Sequence, residues 1–135
     1  MLDAKVYHLA HAWAAVEGGD GPAAIAAAEA SLKFGPRNAR AWLALAWGRA
    51  LSDDEEGAVA ALERSYELAE KFMPLALSRA ALAQRFWPRL GPEARRRLLE
   101  EVRIARGMDL HRFNQLAEEA PRLAVLHQLG EGALR

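Results

Sequence analysis

Apolar residues recur three and four positions apart along most of this chain, and the runs break only at short turns rich in glycine, proline or aspartate. Leu9, Ala12, Trp13 and Val16 keep helical spacing and predict a first helix from about Ala4 to Glu17, ended by Gly18-Gly19-Asp20-Gly21. Asp20 or Gly21 caps a second helix whose Pro22 sits at the tolerated first position, and Gly35-Pro36 stops it. Ala23, Ala24, Ala26, Ala27, Ala28 and Ala30 give this second helix a small-residue side that a neighbour can approach closely. A third helix is expected from Asn38 to Leu51, with Trp42, Leu45, Ala46 and Trp47. Ser52 or Asp53 is the expected cap of a fourth, which runs through Val59, Leu62, Tyr66 and Leu68 toward Phe72, with Asp54, Glu55 and Glu56 against the positive end of its dipole.

The first two helices and the next two are the same pattern written twice. A shift of 34 residues sets Leu9 on Leu43, Ala12 on Ala46, Trp13 on Trp47, Ala24 on Ala58, Ile25 on Val59, Ser31 on Ser65 and Phe34 on Leu68. A period of this size marks stacked helical pairs, none of which buries its apolar face alone. After Phe72 the pattern degenerates. Pro74 opens a fifth helix to about Trp87, in which Leu77 keeps the register of Leu43 but Arg79 and Ala81 replace Leu45 and Trp47. A longer connector, Pro88-Arg89-Leu90-Gly91-Pro92, leads to Ala94, Leu98, Val102 and Ile104 at a shift of 36. Gly107 ends this helix, Asp109 caps another to about Glu119, and Pro121 breaks or kinks that one before Arg122 to Leu129. Leu110, Phe113, Leu116, Leu123, Leu126 and Leu129 are then the simplest cover for the third pair.

These features resemble the tetratricopeptide repeat. Ala24, Ala28, Ser31 and Pro36, after the Gly19-Asp20 turn, carry the likeness in the first unit, and Trp42, Leu45, Ala46, Ala58, Leu62 and Ser65 carry it in the second. His8 and His11 depart from it, standing where the second unit has Trp42 and Leu45, as does Glu70 in place of a closing proline. The resemblance implies an all-α, right-handed superhelix of antiparallel helix pairs in a single domain over 1–135. Repeats span 5–36 and 39–72, a degenerate third spans 73–107, and a C-terminal cap spans 108–135. It further assigns the concave face to Val6, Leu9, Trp13 and Val16, to Arg40, Leu43, Trp47 and Leu51, and to Leu77, Ala81 and Gln84 or Arg85. The lysine and asparagine clamp that the family uses for C-terminal carboxylates has no counterpart, since Leu9, Trp13 and Ala44 occupy its positions. A weaker resemblance lies in Phe86-Trp87-Pro88-Arg89-Leu90-Gly91-Pro92-Glu93-Ala94-Arg95, which is similar to a segment of small bacterial repeat proteins associated with exopolysaccharide and O-antigen loci.

Composition narrows the function classes. Basic and acidic residues balance at 18 each, which gives no overall bias toward nucleic acid. They are unevenly placed: 7 basic and 11 acidic residues lie through Phe72, and 11 basic, all arginine, with 7 acidic lie beyond it. With no cysteine there is neither disulfide nor thiol chemistry. The start Met1-Leu2-Asp3-Ala4-Lys5 lacks a signal pattern, and Ala41 to Gly48 is too short to span a bilayer, so a bacterial cytoplasmic protein is expected.

Among chemical constellations, Trp13 and Trp47 one repeat apart are the strongest. Two rigid rings on an apolar face suit an amphipathic helix or an extended apolar segment of a protein partner. The bland alternative is that they pack between neighbouring helices, or under the chain's own last helix. Arg95, Arg96, Arg97, Arg103 and Arg106 form the densest charge feature, an expected contact for an anion or acidic partner, with surface pairs between Arg95 and Glu100 or Glu101. His8 and His11 lack the further ligands that a zinc site needs, and His111 and His127 stand alone, so no metal or cofactor is expected. No nucleophile and base stand together, and catalysis is not expected. The sequence therefore points to a non-catalytic scaffold or adaptor. A self-assembling structural subunit and an accessory protein of bacterial polysaccharide synthesis are the alternatives.

Overall fold

In the computed structural model, residues 4–69 and 75–119 are described, with side chains from Val6 onward. The expected ends of the fourth and start of the fifth helix at Phe72 and Pro74, and the segment Arg122 to Leu129, lie outside them. The described residues form seven α-helices, one 3-10 helix and no strand. They are α1 (Ala4–Glu17), α2 (Gly21–Phe34), α3 (Ala39–Leu51), α4 (Glu55–Leu68), α5 (Ala76–Ala83), a 3-10 helix (Gln84–Arg89), α6 (Pro92–Met108) and α7 (Leu110–Glu119). No described helix is long and apolar enough to cross a membrane. The chain divides into two compact units, Met1–Ala69 and Glu70–Arg135.

In the first unit the turns repeat as faithfully as the helices. Asp20 Oδ1 accepts from the Ala23 amide at 3.1 Å, and Asp54 Oδ1 accepts from the Gly57 amide at 2.9 Å, each satisfying a donor that a helix start leaves open. The residue before each cap is left-handed, Gly19 at φ 74° and Asp53 at φ 60°. Asp53 therefore belongs to the turn and Asp54 is the cap, which corrects the expectation of Ser52 or Asp53. Asn38 caps α3 as expected, accepting from Arg40 and Ala41. Trp42 Nε1 donates to the Pro36 carbonyl at 2.8 Å, so this ring pins the α2–α3 connector.

The close helix contact predicted from the alanines lies between α2 and α3. A Cβ added to Gly48 would stand 3.0 Å from Ile25 Cγ1 and 3.1 Å from both Ala24 Cβ and the Ile25 backbone nitrogen. One added to Gly21 would meet Ser52 Oγ at 2.3 Å and the Gly48 carbonyl at 3.0 Å. The start of α2 thus lies against the end of α3 almost backbone to backbone. Around this contact Ala24, Ala28, Ala41, Ala44 and Ala46 are fully buried, and so is Leu62 on α4. Buried Ser65 donates from Oγ to the Ala39 carbonyl at 3.0 Å, tying α4 to the first turn of α3.

The second unit is built on α5 and α6. The expected single helix to Trp87 instead tightens into the 3-10 segment, with Phe86 at φ −110°, ψ 19°. Pro88 is the cause, because it offers no amide and its ring crowds the carbonyl four residues back. Leu82, Leu98 and Val102 form the fully buried core with Ala80 and Ala83. Among them lies an ion pair whose two side chains are wholly inaccessible: Arg79 Nε donates to Glu101 Oε1 at 3.0 Å, and Nη2 donates to Oε2. The expected surface pairing of Glu101 with Arg95 is thereby corrected.

Two stability predictions follow from these contacts. Gly48→Ala should lower unfolding free energy in urea by about 1 kcal/mol or more, since overpacking against backbone outweighs the helix propensity gained. Glu101→Ala should cost about 3–5 kcal/mol because it strands a buried guanidinium, whereas the double variant Arg79→Met, Glu101→Leu should regain most of that loss. Equal losses in the single and double variants would contradict the second prediction.

Candidate functional site

Helix α3 packs against α1, α2 and α4, and α1 packs against α2 and α3. Ala39, Ala41, Leu43, Ala44, Leu45, Ala46 and Gly48 of α3 are buried, Gly48 against Ala24 and Ile25 of α2. Arg40, Trp47 and Leu51, at spacings of seven and four, form one accessible line on α3, while Trp42 and Arg49 are partly accessible on another side. The equivalent positions on α1 are Val6, Trp13 and Glu17, with Leu9 one turn before Trp13. Val6 is 48% and Leu51 39% exposed, Arg40 is exposed, and Leu9, Trp13 and Trp47 are half-buried. Two neighbouring helices therefore present a tryptophan each at corresponding positions, flanked by accessible aliphatic side chains.

Leu43 does not belong to that surface. It is 0% exposed and serves as core beneath the line, although its spacing from Trp47 matches that of Leu9 from Trp13. In the second unit Leu77, at 7%, is also core, and Ala81 on α5 is half-buried.

The arginines of α6 are drawn into local contacts. Arg95 donates from Nε to the Trp87 carbonyl at 3.0 Å, and its guanidinium lies 5.0 Å from the centroid of the same indole. Arg96 binds Glu93 at 3.1 Å and Glu100 at 3.3 Å, Arg97 lies 3.8 Å from Glu93, and Arg106 lies 5.8 Å over the Phe113 ring. Arg103 is exposed. Arg96, by hydrogen bond and then by charge, holds the Glu93 carboxyl below its ordinary 4.5. A depressed carboxyl contributes stability above 4.5 that is lost as pH falls through its folded-state value. The protection of the Arg95 amide, which bonds the Gly91 carbonyl at 3.0 Å, measured relative to its intrinsic exchange rate, should therefore fall on acidification below 4.5, and Glu93→Gln should remove that pH dependence.

Several features escaped the sequence reading. Tyr7 meets His8 edge-on at 5.5 Å and lies 6.1 Å from His11, and His8 stacks on Phe34 at 5.8 Å. Tyr7 and Phe34 are 54% and 57% exposed, so this is an open aromatic patch at one end of the α1–α2 hairpin. The two histidines are part of it, and among the described residues no three potential metal ligands gather. A depression of about 380 Å³ along α7, lined by Arg112, Gln115, Leu116, Glu118 and Glu119, involves none of the predicted site residues. The Arg79–Glu101 pair had a readable signal: Glu101 falls on the stripe of Ala94, Leu98, Val102 and Ala105, where a charge needs a buried partner. No family model, curated protein or solved structure matches the chain.

Proposed function

We propose that this chain is a non-catalytic protein-interaction module of tetratricopeptide-like construction, whose α1–α3 face holds an apolar helix or extended segment of a partner protein. The observation that carries the reading is that Trp13 and Trp47, each partly accessible, stand at corresponding points of two adjacent helices. The repeat of 34 residues, the paired Asp20 and Asp54 caps and the packing of α3 on both α1 and α2 support the architecture. Large rings held in place by a rigid backbone lose little rotamer entropy on binding, and partly accessible rings still have area left to bury. Val6, Leu9 and Leu51 extend the apolar surface, and Arg40 offers a charged edge that orients a guest.

The test is affinity capture from the native cell with tagged wild type and with Trp13→Ala, Trp47→Ala. Loss of either ring should weaken binding of the specific partner by about 2 kcal/mol, roughly 30-fold in Kd, while Arg96→Ala leaves it nearly unchanged. Circular dichroism establishes that the variants remain helical. A captured partner indifferent to both tryptophans would refute the proposal.

A further inference from the structure

The internal repeat sets two serines at the same point and gives only one of them a partner. Ser65 donates from Oγ to the Ala39 carbonyl at 3.0 Å and so ties α4 to the start of α3. At a shift of 34, Ser31 on α2 stands in the corresponding relation to Lys5 in the first turn of α1. Ser31 is 0% exposed, yet among the described residues its Oγ has no hydrogen-bond partner. A buried hydroxyl left in this way forgoes the bonds it makes in water, a cost that an acceptor within reach would remove. The start of α1 is also lightly held. From Val6 to His11 no residue is buried, whereas Ala41, Leu43, Ala44 and Leu45 are buried in the corresponding stretch of α3. Ala12, fully buried, is where the burial of α1 begins. His8 adds a stack on Phe34 at 5.8 Å, a contact of two flat rings that can slide. Few buried contacts are the physical mark of a segment that shifts at low cost.

We propose that α1 tilts about Ala12 between the open position of this structure and a closed one, in which Ser31 Oγ donates to the Lys5 carbonyl as Ser65 does to that of Ala39. The tilt is a small shear of packed helices, and it carries Val6 and Leu9 with it. Their distance from the line of Arg40, Trp47 and Leu51 changes accordingly, so the recognition surface has one adjustable edge. A partner that binds the closed form better selects it. This use of the tilt rests on the partner-binding reading, whereas the tilt itself does not. The start of α3 is fixed by contrast, because Ser65 already bonds the Ala39 carbonyl and Trp42 pins the connector before it.

Nitrogen-15 relaxation dispersion on the free full chain reads the tilt, since shifts of packed helices fall in the microsecond to millisecond range. Exchange broadening should appear at the amides of Val6 to His11, be absent from those of Arg40 to Leu45, and vanish in Ser31→Ala. In urea, Ser31→Ala should leave the unfolding midpoint unchanged or raise it, whereas Ser65→Ala should lower it, because only the second removes a bond made in the open form. The protein captured by the wild-type chain is the probe for coupling to the site. Its addition should slow solvent exchange of the Leu9 amide, which the helix pairs with the Lys5 carbonyl, at least several-fold in wild type and not in Ser31→Ala. Trp13→Ala should keep the broadening of the free chain even where it abolishes capture, so failure of recognition is distinguishable from failure of the tilt. A wild type without broadening at Val6 to His11, broadening that persists in Ser31→Ala, a midpoint lowered by Ser31→Ala, or a Leu9 amide indifferent to the captured protein would overturn the proposal.

Discussion

The first unit depends on one steric constraint, the near contact of backbone at Gly21, Ala24 and Gly48 where α2 crosses α3. Hydrophobic burial holds helices together but is non-directional, and large side chains at this point would leave many crossing geometries nearly equal. Removing the side chains lets the two helices settle at one distance set by backbone atoms. The alanines around the contact then fill the narrow gap, and Ser65 and Trp42 secure the flanking segments to carbonyls at Ala39 and Pro36. With α3 thus fixed between α2 and α4, one line of its accessible residues runs through Arg40, Trp47 and Leu51.

The second unit solves the same packing problem with different chemistry. At the position corresponding to Ser65 under the shift of 36 stands Glu101, and α5 answers with Arg79 where α3 has Leu45. A wholly buried ion pair adds little net stability over an apolar pair of similar volume, because desolvation offsets much of the attraction. Its bidentate geometry does discriminate strongly among registers, since a slip of one residue would strand both charges. Directional pairing here takes the place of the small-residue contact in the first unit.

Much of this was legible in the sequence because it rests on local chemistry. The bounds of α1 and the caps at Asp20, Asn38 and Asp109 follow from periodicity and from oxygen-bearing side chains before helix starts. Even the cap of α4 was implicit, since Asp20 shifted by one period is Asp54. What stayed hidden depends on which neighbour a face meets. Leu43 and Leu9 share a register, yet Leu43 is sealed and Leu9 is not. The arginine cluster looked like one surface when read along the chain, but the helix distributes it among Trp87, Glu93, Glu100 and Phe113. The exposed Tyr7–Phe34 patch joins residues 27 positions apart and required the α1–α2 hairpin to be seen.

The account's central claim is that Trp13 and Trp47 form the recognition surface. The chain carries four indoles, and the other two have structural duties, Trp42 on the Pro36 carbonyl and Trp87 under Arg95. The most direct measurement is therefore a nitrogen-15 spectrum of the four indole N–H groups, recorded while the captured partner is added. The account predicts that the Trp13 and Trp47 resonances shift or broaden together and that those of Trp42 and Trp87 stay in place. Movement confined to Trp42 or Trp87, or a bound complex in which Trp13 and Trp47 do not respond, would contradict it.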